Sequence, residues 1–147
     1  IGTLRTEIIT DDDVCEKYSL NEMIIRDSKL GKLQTTILVN EQLLGRFIGD
    51  GLLVATSFGS TAQNRSYNGA IVYNELHTLQ VNSIVMPEER IITISPSYEN
   101  KKILITADGE HEVFENVKAV NNSVKKKIRC LKMTNYDYTR KINEKIL

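Results

Sequence analysis

The fold this sequence predicts is a mainly β sandwich of many short strands, with one embedded short helix and a C-terminal helix. Three observations carry the prediction. Short runs of apolar or alternating residues recur at regular spacing along the chain. Two-residue turn signals, Asn40-Glu41 and Asp108-Gly109, separate adjoining runs. Only two stretches read as helix, and with two prolines, no repeats and no low-complexity run there is no obvious linker. Residues 1–147 therefore read as one domain.

In chain order, residues 3–10 alternate loosely until Asp11-Asp12-Asp13 ends the run. A second apolar run covers 20–26, with Asn21-Glu22 at its start. Residues 33–39 and 42–47 make a hairpin around Asn40-Glu41. Leu52 to Ala55 is continuously apolar, as expected of a strand covered on both faces. Gly59 then supplies a tight turn with backbone angles closed to other residues. Ser60 or Thr61 is placed to cap a helix over 60–67, which Asn68-Gly69 stops. The free N–H groups at such a helix start would form an anion site for phosphate or sugar oxygens. Further strands are expected over 91–94, 102–107, 113–120 and 127–133. Asp137 is placed to cap a last helix over 138–146, with Ile142 and Ile146 on one face.

Composition narrows the function. The chain has 147 residues, is 41% hydrophobic and carries no formal net charge, which argues against a general nucleic-acid binder. No apolar run reaches the length of a membrane span, and no signal peptide is recognisable, so a cytoplasmic protein with no membrane partner is expected. Cys15 and Cys130 lack metal-ligand spacing and read as free thiols; His77 and His111 lie far apart, without a carboxylate or thiol at ligand spacing. From Lys118 onward nine Lys or Arg face only Asp137 and Glu144, a solvated basic face or a region that attracts phosphates. The first residue is Ile, which leads us to expect a piece of a longer protein.

The most informative stretch is Gly49-Asp50-Gly51 followed by Gly59-Ser60-Thr61-Ala62, with Ser66 and Gly69 in register behind it. It resembles the GDG…T…GSTA signature in the C-terminal domain of NAD kinases. Leu20-Asn21-Glu22 before an apolar strand is similar to the same family's Leu-Asn-Glu sequence. The resemblance covers residues 3–135 and is strongest over 20–72. Family members have a β-sandwich here, in agreement with the strand pattern. By resemblance, the Asn21 amide reads adenine and the Glu22 carboxylate holds ribose hydroxyls, roles their donor and acceptor sets allow. Asp50 would reach the nicotinamide side, in some members across a subunit boundary. Thr61 would hydrogen-bond the adenine or its neighbours, and small Ala62 would let the ligand approach. Ser66 would follow one helical turn on. Read without the resemblance, Asn21-Glu22 is a solvated turn, Asp50 a turn residue, and Thr61, Ala62 and Ser66 ordinary capping and packing.

The chain departs from the family pattern at Ile48, Ser57, Phe58 and Gln63. The Gly-Gly-Asp-Gly-Thr loop that supplies the catalytic Asp belongs to the family's N-terminal ATP-binding domain and is absent from this chain. No catalytic residue and no metal ligand is therefore expected here. The resemblance implies phosphorylation of the adenosine ribose 2′-hydroxyl of NAD by ATP or polyphosphate, with a divalent metal such as Mg accompanying ATP. It also implies a homo-oligomer, a dimer or tetramer, for which Leu43, Leu44 and Phe47 offer an apolar patch. Two alternatives stay open: a related lipid or sugar kinase domain, and a non-catalytic nucleotide-binding module.

Overall fold

Twelve strands form two six-stranded antiparallel sheets in a computed structural model that describes residues 2–62, 64, 67–73 and 75–127. The first sheet runs, in spatial order, β2 (Val14–Ser19), β1 (Gly2–Thr10), β12 (Val117–Lys127), β9 (Ile92–Pro96), β4 (Leu33–Val39) and β5 (Gln42–Gly49). The second runs β11 (Glu110–Glu115), β10 (Lys102–Ala107), β3 (Glu22–Asp27), β6 (Leu52–Thr56), β7 (Thr78–Val81) and β8 (Ile84–Pro87). Their inner faces meet in one core. Leu4, Ile8 and Ile94 from the first sheet pack with Met23, Ile25 and Val54 from the second. Each such side chain, fully removed from water, contributes about 1.5–3 kcal/mol.

Both predicted hairpin turns form. Asn40 and Glu41 hold φ of 47° and 68°, and Asp108 and Gly109 hold 47° and 87°. This double left-handed conformation matches the twist of the flanking strands. The run read as one strand over 113–120 is two, β11 and β12, broken at Asn116 with φ 56°. Strands β2, β7 and β8 were not expected. β2 and β8 are edges, and β2 carries Glu16 and Lys17 where a buried strand would carry hydrocarbon.

At the start of the expected embedded helix the chain makes a 3-10 turn, Phe58–Thr61, and Asn64 beyond it is helical. Residues 63, 65 and 66 lie outside the described residues, as do the predicted strand beyond Lys127 and the C-terminal helix. Asn68 takes φ 58°, a left-handed residue where the stop was expected. On the outer face of the second sheet Tyr67 packs on Ile24, Leu53 and Ala55. Among the described residues no helix is long and apolar enough to cross a membrane.

Candidate nucleotide site at the entry to β3

Side chains alternate along β3. Met23 and Ile25 enter the core, so Glu22, Ile24 and Arg26 face outward, where Tyr67 packs on Ile24. Asn21 precedes the strand and is half-buried, whereas Glu22 is only 4% exposed. Glu22 pairs with Ala55 of β6, which brings the pair beside the turn that leaves that strand.

That turn grips Asn21. The Thr56 N–H donates to the Asn21 carbonyl at 3.1 Å, and the Thr56 hydroxyl donates to the Leu20 carbonyl at 2.7 Å. The same hydroxyl oxygen accepts the Gly59 N–H at 3.0 Å. Gly59 is needed for close approach rather than for special backbone angles: a Cβ there would lie 2.0 Å from the Asn21 carbonyl oxygen. The expected helix-start anion site is corrected by the same bonds, since the Gly59 and Ser60 N–H groups are satisfied within the turn. Nor does Ser60 cap. Its hydroxyl donates to the Val72 carbonyl at 2.9 Å and accepts the Val72 N–H at 3.0 Å, pinning the returning chain. Asn64 donates to Ser60 and Ala70 carbonyls, and Gln80 exchanges two hydrogen bonds with the Ala70 backbone.

On the other side of Asn21-Glu22 stands Asp108. Its Oδ2 accepts the Leu20 N–H at 2.6 Å, and its Oδ1 accepts the N–H groups of Asn21 at 2.9 Å and Glu22 at 3.3 Å. Asp108 in turn donates its own N–H to the Glu22 carbonyl at 3.2 Å.

The remaining predicted residues divide. Thr61 closes the 3-10 turn, and half-buried Ala62 follows it, donating its N–H to Gly59 at 3.0 Å. Both lie within the turn that holds Asn21. Ser66 lies outside the described residues. Asp50 is exposed at the opposite end of β6, five residues before Ala55, a separation of roughly 17 Å along an extended strand. It lines a pocket of about 390 Å³ with Gly51, Tyr67, Asn68 and Asn82. A second pocket, about 360 Å³, opens between Ile24, Arg26, Thr106, Gly109 and His111. Arg26 separates the two, its guanidinium 5.5 Å from the Tyr67 ring centre and donating to the Tyr67 hydroxyl. Among the described residues no three His, Cys, Asp or Glu gather as metal ligands.

Sequence reasoning missed Thr56 and Asp108 as parts of this site. Thr56 lay inside the motif as an unassigned Thr, and Asp108 was legible only as a turn former.

Residues 20–128 match the model of the ATP-NAD kinase C-terminal domain family. The chain is 31% identical to the NAD kinase of Clostridium beijerinckii over 98% of its own length and 55% of that protein's. It is 32% identical to the NAD kinase of Pediococcus pentosaceus, over 84% of this chain and 52% of that protein. Among solved structures, yeast NADH kinase complexed with NADH shares the fold at a TM-score of 0.87 and 21% identity, covering 97% of this chain and 46% of that one. An NAD kinase from Archaeoglobus fulgidus in complex with ATP superposes at 0.66 with 22% identity, covering 83% of this chain and 50% of that one. The chain spans about half the length of the curated relatives it matches.

Proposed function

We propose, from the premise that this chain belongs to the ATP-NAD kinase C-terminal domain family, that it is the NAD-binding half of an NAD kinase. One observation carries the assignment to this site. Asn21-Glu22 is fixed by backbone bonds against the GSTA turn, so the two motifs of the resemblance form one surface. Asn21 offers an amide to a base edge, and Glu22 a carboxylate to neighbouring ribose hydroxyls. Thr61 and Ala62, in the turn that holds Asn21, would line the ligand beside them, and the resemblance gives Ser66 the same part. The chain's part in catalysis is to hold the adenosine ribose so that its 2′-hydroxyl faces the phosphoryl donor, ATP or polyphosphate. Such positioning is worth several kcal/mol of barrier. Divalent metal would arrive with ATP, outside the groups described here.

Asp50 works on a different copy of the site in this reading. Its distance from Glu22 along β6 and the exposed Leu43, Leu44 and Ile48 on edge strand β5 support a homo-oligomer, dimer or tetramer, in which Asp50 completes a neighbour's pocket. Phe47 packs on the core and only partly contributes to that patch. Protein of this kind would work in the cytoplasm.

Calorimetric titration of NAD into the chain tests the site. Glu22→Ala is expected to weaken binding by about 1–3 kcal/mol, and equal affinities would refute the assignment. Incubated with ATP, magnesium and NAD, the chain alone is expected to make no NADP; turnover above background defeats that expectation.

A further inference from the structure

We infer that Asp108 is a positioning residue for the nucleoside site: its carboxylate fixes the Leu20-Asn21-Glu22 backbone from one side while Thr56 fixes it from the other. The inference rests on the reading of Asn21-Glu22 given above and adds a residue that no motif assigns. Three consecutive N–H groups, those of Leu20, Asn21 and Glu22, converge on one carboxylate. Leu20 and Asn21 precede β3, so for them the carboxylate takes the place a neighbouring strand would fill. The carbonyls of Leu20 and Asn21 turn the opposite way, onto the Thr56 hydroxyl and N–H. With donors held on one side and acceptors on the other, the peptide planes of the segment cannot rotate. The directions in which the Asn21 and Glu22 side chains leave the backbone are then set before any ligand arrives, which removes an ordering cost from binding.

The position of Asp108 explains why the clamp has this form. Its left-handed φ of 47° and Gly109 at 87° make the β10–β11 turn, and β10 pairs with β3 up to Ala107 opposite Met23. The next residue of β10 therefore stands directly beside Glu22. An aspartate is short enough to fold back from a left-handed turn onto the adjacent backbone. A purely turn-forming role requires only a residue tolerant of that φ, and asparagine meets it equally well.

Asp108→Asn separates the two roles. It keeps the turn but places an amide donor where one of the N–H groups needs an acceptor. Three measurements on the full chain decide. Amide exchange at residues 20–22 should rise at least tenfold, with the strands of the first sheet unchanged. NAD affinity by calorimetry should fall about tenfold, with thermal unfolding little moved. Glu22→Ala should weaken NAD binding less in the Asp108→Asn background than in the wild type, because the carboxylate is already misplaced. Unchanged exchange at 20–22, unchanged affinity, or full additivity of the two substitutions would overturn the proposal. Should Asp108→Asn fail to fold, Thr56→Val removes the opposing hydroxyl, and with it the acceptor of the Gly59 N–H, while leaving the β10–β11 turn intact, and the same three expectations apply. A wild-type chain that binds no NAD while exchange still rises in the variant overturns the reading of the site, and the positioning role with it.

Discussion

The two faces of the second sheet are covered by different physics. Inside, Met23, Ile25, Leu52 and Val54 share one apolar core with the first sheet, whose buried polar residues Thr6 and Asn122 bond to each other. Outside, among the described residues, Ile24, Leu53 and Ala55 carry the apolar contact with Tyr67, beside a cover that includes Ser60, Asn64 and Ala70. That cover is held by named polar bonds: Ser60 to Val72, Asn64 to Ser60 and Ala70, Gln80 to Ala70. Hydrocarbon packing is non-directional and tolerates shape-conserving change. Buried hydrogen bonds are directional, and each broken one leaves an unsatisfied group. The inner face thus supplies most of the apolar burial, and the outer face supplies a fixed shape beside pockets of about 390 and 360 Å³.

The sharpest way to test that division is to remove volume inside. Ile25→Ala is expected to cost about 4 kcal/mol in chemical denaturation, by lost transfer energy and a residual cavity, with NAD affinity of the folded fraction little changed. Gly59→Ala comes next. Its Cβ meets backbone of Asn21 rather than a movable side chain, so about 3 kcal/mol of stability should be lost together with NAD binding. Gly45→Ala is the control, because nothing lies within 4 Å of a Cβ there, and it should bind and melt like the wild type. Gln80→Leu conserves volume approximately but strands the Ala70 N–H and leaves the Ala70 carbonyl with Asn64 alone. If the outer face were a second hydrocarbon core the change would be neutral; a loss of about 2 kcal/mol by denaturation is expected instead.

The smallest effect concerns an ion pair that belongs to neither face. Lys17 of β2 contacts Glu112 of β11, joining the edges of the two sheets. The hydrogen bond to Glu112 raises the Lys17 pKa above its ordinary value. A raised lysine stabilises below the unfolded pKa and loses that contribution as pH climbs through the folded one. Glu112→Gln should therefore change stability by less than about 0.5 kcal/mol at neutral pH, since the pair is solvated. The difference should stay flat from about pH 6 to 9 and shrink only in the alkaline range where lysine titrates. A pH-dependent difference near neutrality would contradict the assignment.

What could be read in advance followed locality. The β6 run and the turns at Asn40-Glu41 and Asp108-Gly109 were legible because their cause lies within a few residues. β2 was not, because Val14, Cys15 and Tyr18 alternate with charges that only an edge position explains. The cap expected for the helix over 60–67 was misread for a related reason: Ser60 is recruited by Val72, twelve residues on. Asn21-Glu22 and the GSTA turn stood out as motifs, and the structure joins them through Gly59. The role of Asp108 was hidden, since its partners lie 86 to 88 residues away in sequence and a turn signal fully accounted for its presence.

The pairing of the first described strand with the last has a kinetic consequence. β1 lies between β2 and β12, with Gly2 opposite Lys127 and Thr10 opposite Val117. During synthesis β1 and β2 emerge early and can close a hairpin at once, but one edge of β1 must stay open until β12 leaves the ribosome. At about 5–20 residues per second that wait is roughly 5–20 s. An open strand bearing Leu4 and Ile8 is a template for mispairing throughout. Loop closure over nearly the whole described chain also makes the final step slow in the test tube. Yield on refolding should therefore depend on protein concentration even where the native state itself is stable.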